Sequence, residues 1–328
     1  MPTNPSSPNP ATTTTVPPPA PRIIFLGTPE FAVASLDAIL NAGYTIVAVV
    51  TAPDKPAGRG MQLTESAVKK YALAKGLTIL QPERLKDPAF LEQLRALNAD
   101  LQIVVAFRML PEIVWNMPPM GTVNLHGSLL PQYRGAAPIN WAVINGEKIT
   151  GVTTFQLQHV IDTGNILLQD QFPIAETDTA GDVHDKMKDI GARLLVRTIE
   201  GLAAGTLKDT PQPETGELKH APKIFTDTCL IDWNKPIENI YDLIRGLSPF
   251  PTAYTHLDGK MLKIYHSQKE KKTPASPPGA YETDQKTYLK FAASDGYILV
   301  TELQLEGKKK MKIEDFLRGF RPNPTPIP

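Results

Sequence analysis

The chain predicts an α/β protein, a Rossmann-like and mostly parallel sheet followed by a small, strand-rich barrel, and three observations carry that expectation. Short apolar runs at residues 23–27, 44–50 and 101–106 alternate with segments whose apolar residues recur at helical spacing. Residues 206–221, with Pro211, Pro213 and Gly216, interrupt this alternation as a polar linker. Beyond it the runs become short and closely spaced, with Asp258-Gly259 and Asp295-Gly296 marking tight turns between strands.

The first 21 residues are Pro, Thr, Ser, Asn and Ala rich and carry charge only from position 22 onward, so they cannot bury enough apolar surface to offset the entropy of ordering. They are expected to be a disordered tail. They also lack the apolar core of a secretory signal and the arginines of a transit peptide. The folded region opens at Arg22 with a strand ending in Gly27, and Pro29 starts a helix whose buried stripe is Phe31, Val33, Leu36, Ile39 and Leu40. Gly27-Thr28-Pro29 is not the Gly-x-Gly-x-x-Gly of dinucleotide sites, so no dinucleotide is expected. Helices at residues 65–74, 88–97, 138–145 and 179–202 and strands at 77–80, 151–157 and 166–172 complete a catalytic domain over residues 22–205. After the linker, a domain over residues 222–328 is expected to hold a strand at 225–231, a helix at 237–247, strands at 253–257, 262–266, 288–292 and 297–303, and a closing helix at 313–318.

Composition narrows the function classes. With 41% hydrophobic residues over 328 positions the chain can build a real core, and a formal net charge of zero creates no global field for a polyanion. Cys229 stands alone, which excludes an internal disulfide and leaves no cysteine cluster for zinc; no metal is expected and a reducing cytoplasm fits. No apolar run approaches the roughly 18 residues of a membrane span.

The chemically informative stretch is Asn124-Leu125-His126-Gly127-Ser128-Leu129-Leu130-Pro131-Gln132-Tyr133-Arg134-Gly135. It begins as a buried strand, and alternation along a strand puts Asn124 and His126 on one face and Val123 and Leu125 on the other. An amide that donates hydrogen bonds beside an imidazole that moves protons suits an oxyanion growing on a carbonyl carbon, as in acyl transfer. Ser128 lies outside any Gly-x-Ser-x-Gly elbow, so direct transfer is expected rather than a covalent intermediate. Asp162, in the loop Val160-Ile161-Asp162-Thr163-Gly164-Asn165, is the carboxylate expected beside His126, where it can orient and charge the ring. His159 reads as a loop residue.

Asn124, His126, Ser128-Leu129-Leu130-Pro131, Arg134-Gly135-Ala136-Ala137-Pro138 and Asp162-Thr163-Gly164 together resemble the formyltransferases that use 10-formyltetrahydrofolate. The resemblance runs from about Arg22 to near Phe320. It implies a catalytic trio of Asn124, His126 and Asp162, folate contacts at Ser128, Leu129, Leu130 and Pro131, an OB-like second domain, and no metal. With the loop Asp54-Lys55-Pro56-Ala57-Gly58-Arg59-Gly60 and the second domain, it implies formylation of initiator methionyl-tRNA by a monomeric enzyme. The segment usually written Met-Asp-x-Gly-Leu-Asp-Thr-Gly-Asp stands here as Leu157-Gln158-His159-Val160-Ile161-Asp162-Thr163-Gly164-Asn165, without the first carboxylate and one glycine. Arg108, in a folate-pocket segment usually richer in Gly, is a further departure, and Gln158 and Val160 bear on the same pocket.

Transfer RNA contacts are expected at Lys55 and Arg59 in the positive loop and at Lys308, Lys309 and Lys310. From Pro222 onward the chain has 16 Lys and Arg against 13 Asp and Glu, a net of +3, and Lys269, Lys271 and Lys272 form a second cluster. Two other activities fit the same stretch: a sugar-nucleotide N-formyltransferase, or a non-catalytic folate- or RNA-binding protein that keeps the fold. Glycinamide ribonucleotide formyltransferases fit less well, because they end after one domain and have Pro where Gly127 stands.

Overall fold

The computed structural model describes residues 20–57, 62–213 and 216–321. The expected tail at residues 1–21, apart from its last two positions, and Arg59 lie outside them.

The first domain is a seven-stranded sheet wound around β1 (Arg22–Gly27). From β1 the chain passes through α1 (Glu30–Asn41) to β2 (Thr45–Val50), then a hairpin of β3 (Lys55–Ala57) and β4 (Gln62–Thr64), then α2 (Ala67–Ala74) and the short edge strand β5 (Ile79–Leu80). It then returns past α3 (Pro88–Ala96) to the other side of β1 as β6 (Leu101–Val105), and through α4 (Glu112–Trp115) to β7 (Thr122–His126). Next come β8 (Arg134–Gly135), α5 (Pro138–Ile144), β9 (Ile149–Gln156), β10 (Ile166–Pro173) and the long α6 (Ala180–Ala203). The order is β10-β9-β7-β6-β1-β2-β5, and all neighbours from β7 to β5 are parallel. β9 and β10 run antiparallel, so the sheet is mixed at one edge. The chain reverses its winding between β1 and β6, and such a reversal opens a crevice at the carboxyl ends of the strands.

Alternation along β1 divides the core. Ile23 and Phe25 enter a cluster with α1, α2, α5 and α6, while Ile24 and Leu26 enter a second cluster with α3 and α4. Both faces are therefore covered, as a parallel sheet requires. Helix α6 begins with a reciprocal cap in which Thr179 accepts from the Asp182 N–H and Asp182 accepts from the Thr179 N–H. No helix among the described residues is long and apolar enough to cross a membrane.

The segment joining the domains ends in β11 (His220–Ala221), which pairs back onto β8, and the second domain follows with α7 (Ile237–Leu247), β12 (Ala253–Leu257), β13 (Lys260–Glu270), β14 (Tyr281–Thr283), β15 (Leu289–Ala292), β16 (Tyr297–Leu305), β17 (Met311–Lys312) and α8 (Ile313–Gly319). Strands β12 to β17 form one antiparallel, half-barrel sheet in the order β12-β13-β16-β15-β14 with β17 on β16. Trp233 stacks on Phe291 at 4.8 Å at its centre and donates its indole N–H to Thr255. The strand expected at residues 225–231 is instead a turn of 3-10 helix over Thr226–Cys229. There the Cys229 thiol donates to the Phe225 carbonyl, and beyond the turn Leu230 meets Tyr254 in a single isolated bridge.

The two domains share a tight seam. Gly246 of α7 sits so close to Ile144 of α5 that a Cβ would approach Ile144 N to 2.8 Å, and Asn140 donates to the Gly246 carbonyl at 2.8 Å. Arg245, 4% exposed, donates to Asp242 at 2.7 Å and to the Asp178 carbonyl at 3.1 Å. Lys269 bridges Glu176 of the first domain and Glu238 of the second. Replacing Arg245 with leucine strips the Asp178 carbonyl and the Asp242 carboxylate of their donor; we expect urea unfolding to show a loss of about 2–3 kcal/mol. A loss under about 0.5 kcal/mol would mean that the seam does not rely on it.

Candidate active site

A cavity of about 770 Å³ opens at the carboxyl ends of β1, β6 and β7. Its walls include Phe107, Met109, Leu110, Trp115 and Ile161, and Asn124, His126 and Asp162 all border it. The alternation expected along β7 holds, because Val123 and Leu125 are buried in the α1/α6 cluster and leave Asn124 and His126 to the opposite face. Helix α6 presses on the back of that strand, where a Cβ on Gly191 would meet Leu125 at 2.9 Å.

His126 is 7% exposed, and its Nε2 lies 3.0 Å from the Tyr133 carbonyl oxygen. A carbonyl only accepts, so Nε2 carries the proton in this contact. Asp162 is half-buried in a left-handed conformation (φ 54°), and its Oδ2 accepts from the Gly135 N–H at 3.0 Å. The structure therefore gathers the trio at one cavity, while each of the two ionisable members is tied to the loop that follows β7 rather than directly to the other. Gly164 holds the Asp162 loop against β9, where a Cβ would lie 1.7 Å from the Gln156 carbonyl oxygen.

Ser128, Leu129, Leu130 and Pro131 are not among the residues that line the cavity. Ser128 is fully buried with its hydroxyl on the Gln132 carbonyl, and Thr153 and Gln169 bind the backbone of Ser128 and Leu130. Residues 106–110 form part of the lining, where Arg108 reaches back to the Pro82 and Glu83 carbonyls and lies over the Phe107 ring. Gln158 and His159 also line it, and exposed His159 lies 3.6 Å from Glu112.

Sequence inspection missed how firmly residues 206–221 are bound. Thr210 pairs with Ile166, and the buried Gln212 donates to the carbonyls of Asp162 and Gly164 while accepting from Arg134. Lys219 gives its carbonyl to the Tyr133 N–H at 2.6 Å, and Ala221 gives its own to Ala136 and Ala137. Gly135 (φ 126°) permits this, because any Cβ there would stand 2.5 Å from the Ala221 oxygen. The Tyr133 hydroxyl donates to Glu147 at 2.5 Å, which also receives the Lys219 ammonium at 2.6 Å. Burial pushes the Glu147 carboxyl up, but the hydrogen bonds from Lys219 and Tyr133 outweigh it and hold the group below its ordinary range. A lone Gln between two prolines gives no hint of this in sequence.

Among the basic residues expected at a nucleic-acid surface, Lys55 is exposed on β3, at a hairpin whose base is pinned by Asp54 to Lys69 and Gln81. The Lys69 and Gln81 hydrogen bonds hold the Asp54 carboxyl below its usual range. Lys308 and Lys309 are exposed on the turn before β17, while Lys310 pairs with Glu302 at 2.8 Å and lies over Tyr265. Lys269 is committed to the domain seam.

A doubly wound sheet with an amide, an imidazole and a carboxylate at its switch-point cavity defines a class of enzymes that transfer an acyl group directly to a nucleophile. The comparisons with known proteins make this specific. Residues 21–199 match the model described as Formyl transferase and residues 223–321 the one described as Formyl transferase, C-terminal domain. The chain belongs to the formyl transferase family, and it is a formyl-transferring enzyme. It is 58% identical over 310 residues to the methionyl-tRNA formyltransferase of Parabacteroides distasonis, covering 92% of this chain and 96% of that one. The methionyl-tRNA formyltransferase of Flavobacterium johnsoniae is 48% identical over 303 residues, covering 91% and 96%. Among solved structures, the N-formyltransferase from Helicobacter canadensis, in complex with folinic acid and dTDP-3-aminofucose, superposes with a TM-score of 0.64 at 20% identity, covering 88% of this chain and 99% of that one. HypX from Aquifex aeolicus, in complex with tetrahydrofolic acid, gives 0.63 at 18% identity over 93% of this chain and 49% of its own. At such identities these two structures establish the shared fold.

Because the Asp162 loop leans on β9 through Gly164, Gly164→Ala is expected to cost about 1–3 kcal/mol in thermal or urea unfolding as the loop is displaced. Unchanged stability would show that the loop yields freely.

Proposed function

We propose that this enzyme transfers the formyl group of 10-formyltetrahydrofolate to the α-amine of methionyl-initiator-tRNA, giving N-formylmethionyl-tRNA and tetrahydrofolate. The observation that carries the acceptor is the near full-length likeness to relatives of that name, at 48–58% identity. The cavity supports the donor, since its apolar lining by Phe107, Met109, Leu110 and Trp115 suits a flat heteroaromatic ring and Asn124, His126 and Asp162 border the same space.

In the reaction, the amine lone pair attacks the formyl carbon and the carbonyl electrons move onto oxygen. The Asn124 amide stabilises that oxyanion by a donated hydrogen bond, joined by the His126 ring once its Nδ1 has taken up the proton of the attacking amine. The proton shed by the attacking amine passes to the His126 ring or to water held by Asp162. Collapse of the intermediate expels N10 of the folate, which recovers a proton. Asp162 acts on the ring through its charge across the cavity and through the loop it shares with it, consistent with its bond to the Gly135 N–H.

Supplying 10-formyltetrahydrofolate with charged initiator tRNA and, separately, with amino-sugar nucleotides tests the acceptor. Formylated methionyl-tRNA is the expected product, and formyl transfer to the sugar alone overturns the proposal. In the same assay Asn124→Ala and His126→Ala should fold normally and lose on the order of 100- to 1,000-fold in turnover; wild-type rates from either contradict the roles given to them. The exposed Lys308 and Lys309, with Lys310 beside them, are proposed to meet the tRNA backbone together with Lys55 and Arg59. Neutralising Lys308 to Lys310 should raise KM for tRNA and flatten its salt dependence, and an unaltered salt slope would count against them.

A further inference from the structure

The contact that sets the protonation pattern of His126 comes from the backbone of Tyr133, and the structure shows what holds that backbone in place. Tyr133 is 5% exposed and sits in the left-handed region (φ 59°), a conformation that a bulky side chain adopts only when its surroundings impose it. Four contacts impose it. The Tyr133 N–H donates to the Lys219 carbonyl, the Tyr133 hydroxyl donates to Glu147 and receives a hydrogen bond from Asn145, and the Lys219 ammonium closes the ring on the same Glu147 oxygen. Lys219 belongs to the segment that joins the two domains, and Glu147 follows α5, which packs on α7 of the second domain.

We propose that Tyr133 is a positioning residue, whose carbonyl keeps the proton of neutral His126 on Nε2 and leaves Nδ1 as the ring's free lone pair for the reaction, with Glu147 and the interdomain Lys219 holding that carbonyl in register. The proposal rests on the role given to His126 in formyl transfer. Among the described residues no hydrogen bond engages Nδ1, so the nitrogen left over is the one available to take the proton from the attacking amine. The other ionisable groups bordering the cavity are Asp162, Arg108, His159 and His184; Asp162 is held by Gly135, Arg108 by the carbonyls of residues 82 and 83, and His184 lies beside Asp185. None is hydrogen-bonded to His126, so the Tyr133 carbonyl decides the tautomer. A linker that runs through this contact makes the seating of the second domain part of what aligns the catalytic ring.

The test uses full-length protein labelled with 15N-histidine, the His126 signals being identified by their loss in His126→Ala. At a pH where the ring is neutral, wild type should show a protonated Nε2 and an unprotonated Nδ1. Tyr133→Phe and, as a variant exposed at the surface and therefore safe for folding, Lys219→Met should both move the ring toward a mixture of tautomers. Each should lower kcat, by roughly 10-fold or more for Tyr133→Phe and less for Lys219→Met, with KM for both substrates changed less than about twofold. A ring that keeps the wild-type nitrogen pattern, with kcat unchanged, in a folded Lys219→Met or Tyr133→Phe variant overturns the proposal. Failure of the wild type to formylate methionyl-tRNA would instead strike the proposed function, and the nitrogen pattern would still report on the clamp.

Discussion

The placement of β7 between parallel β6 and antiparallel β9 is the constraint on which the rest of the site depends. Pairing on both edges fixes the strand's register, and a slip of one residue would exchange Asn124 and His126 for Val123 and Leu125 at the cavity. Two further features hold that register. Val123 and Leu125 are committed to the core beneath α6, and Gly191 lets that helix approach Leu125 closely. The polar pair is thus displayed by apolar packing on the other side of the same strand.

Display alone does not make a site, because the ends of strands run into loops. Here the loop after β7 is held from two directions. On its inner side the Tyr133 carbonyl and the Gly135 N–H meet His126 and Asp162; on its outer side Lys219 and Ala221 accept from Tyr133, Ala136 and Ala137. A short parallel pair between β8 and β11 therefore couples the join between domains to the loop that holds His126 and Asp162, and Gln212 extends the coupling to the Asp162 loop. Backbone groups do most of this, which is why the residues involved are chemically unremarkable in the sequence.

That division accounts for what could be read in advance. Apolar periodicity located the longer helices and strands of the first domain and the partition of β7 into two faces, because burial and alternation are properties of nearby residues, but it gave neither the β3–β4 hairpin nor the short α4 and β8. Asn124, His126 and Asp162 stood out as residue types with a shared chemistry, and the structure brings them to one cavity. Signals failed where long-range contacts decide. Residues 225–231 carry apolar side chains but form a turn, and residues 206–221 look like a tether yet pair with the loop after β7. The backbone of Ser128 and Leu130 is gripped by Thr153 and Gln169, and no local property of residues 128–131 announces those bonds.

Formyl transfer at the end of β7 turns on one carbonyl group meeting both the Asn124 amide and the His126 ring. The most direct measurement is a crystal structure of the full chain with a non-reactive formyl-folate analogue. The formyl oxygen should lie within hydrogen-bond reach of the Asn124 amide, with the His126 ring beside the formyl group and the heteroaromatic ring against residues 106–110. A formyl group bound away from both side chains, or a folate seated outside this cavity, would contradict it.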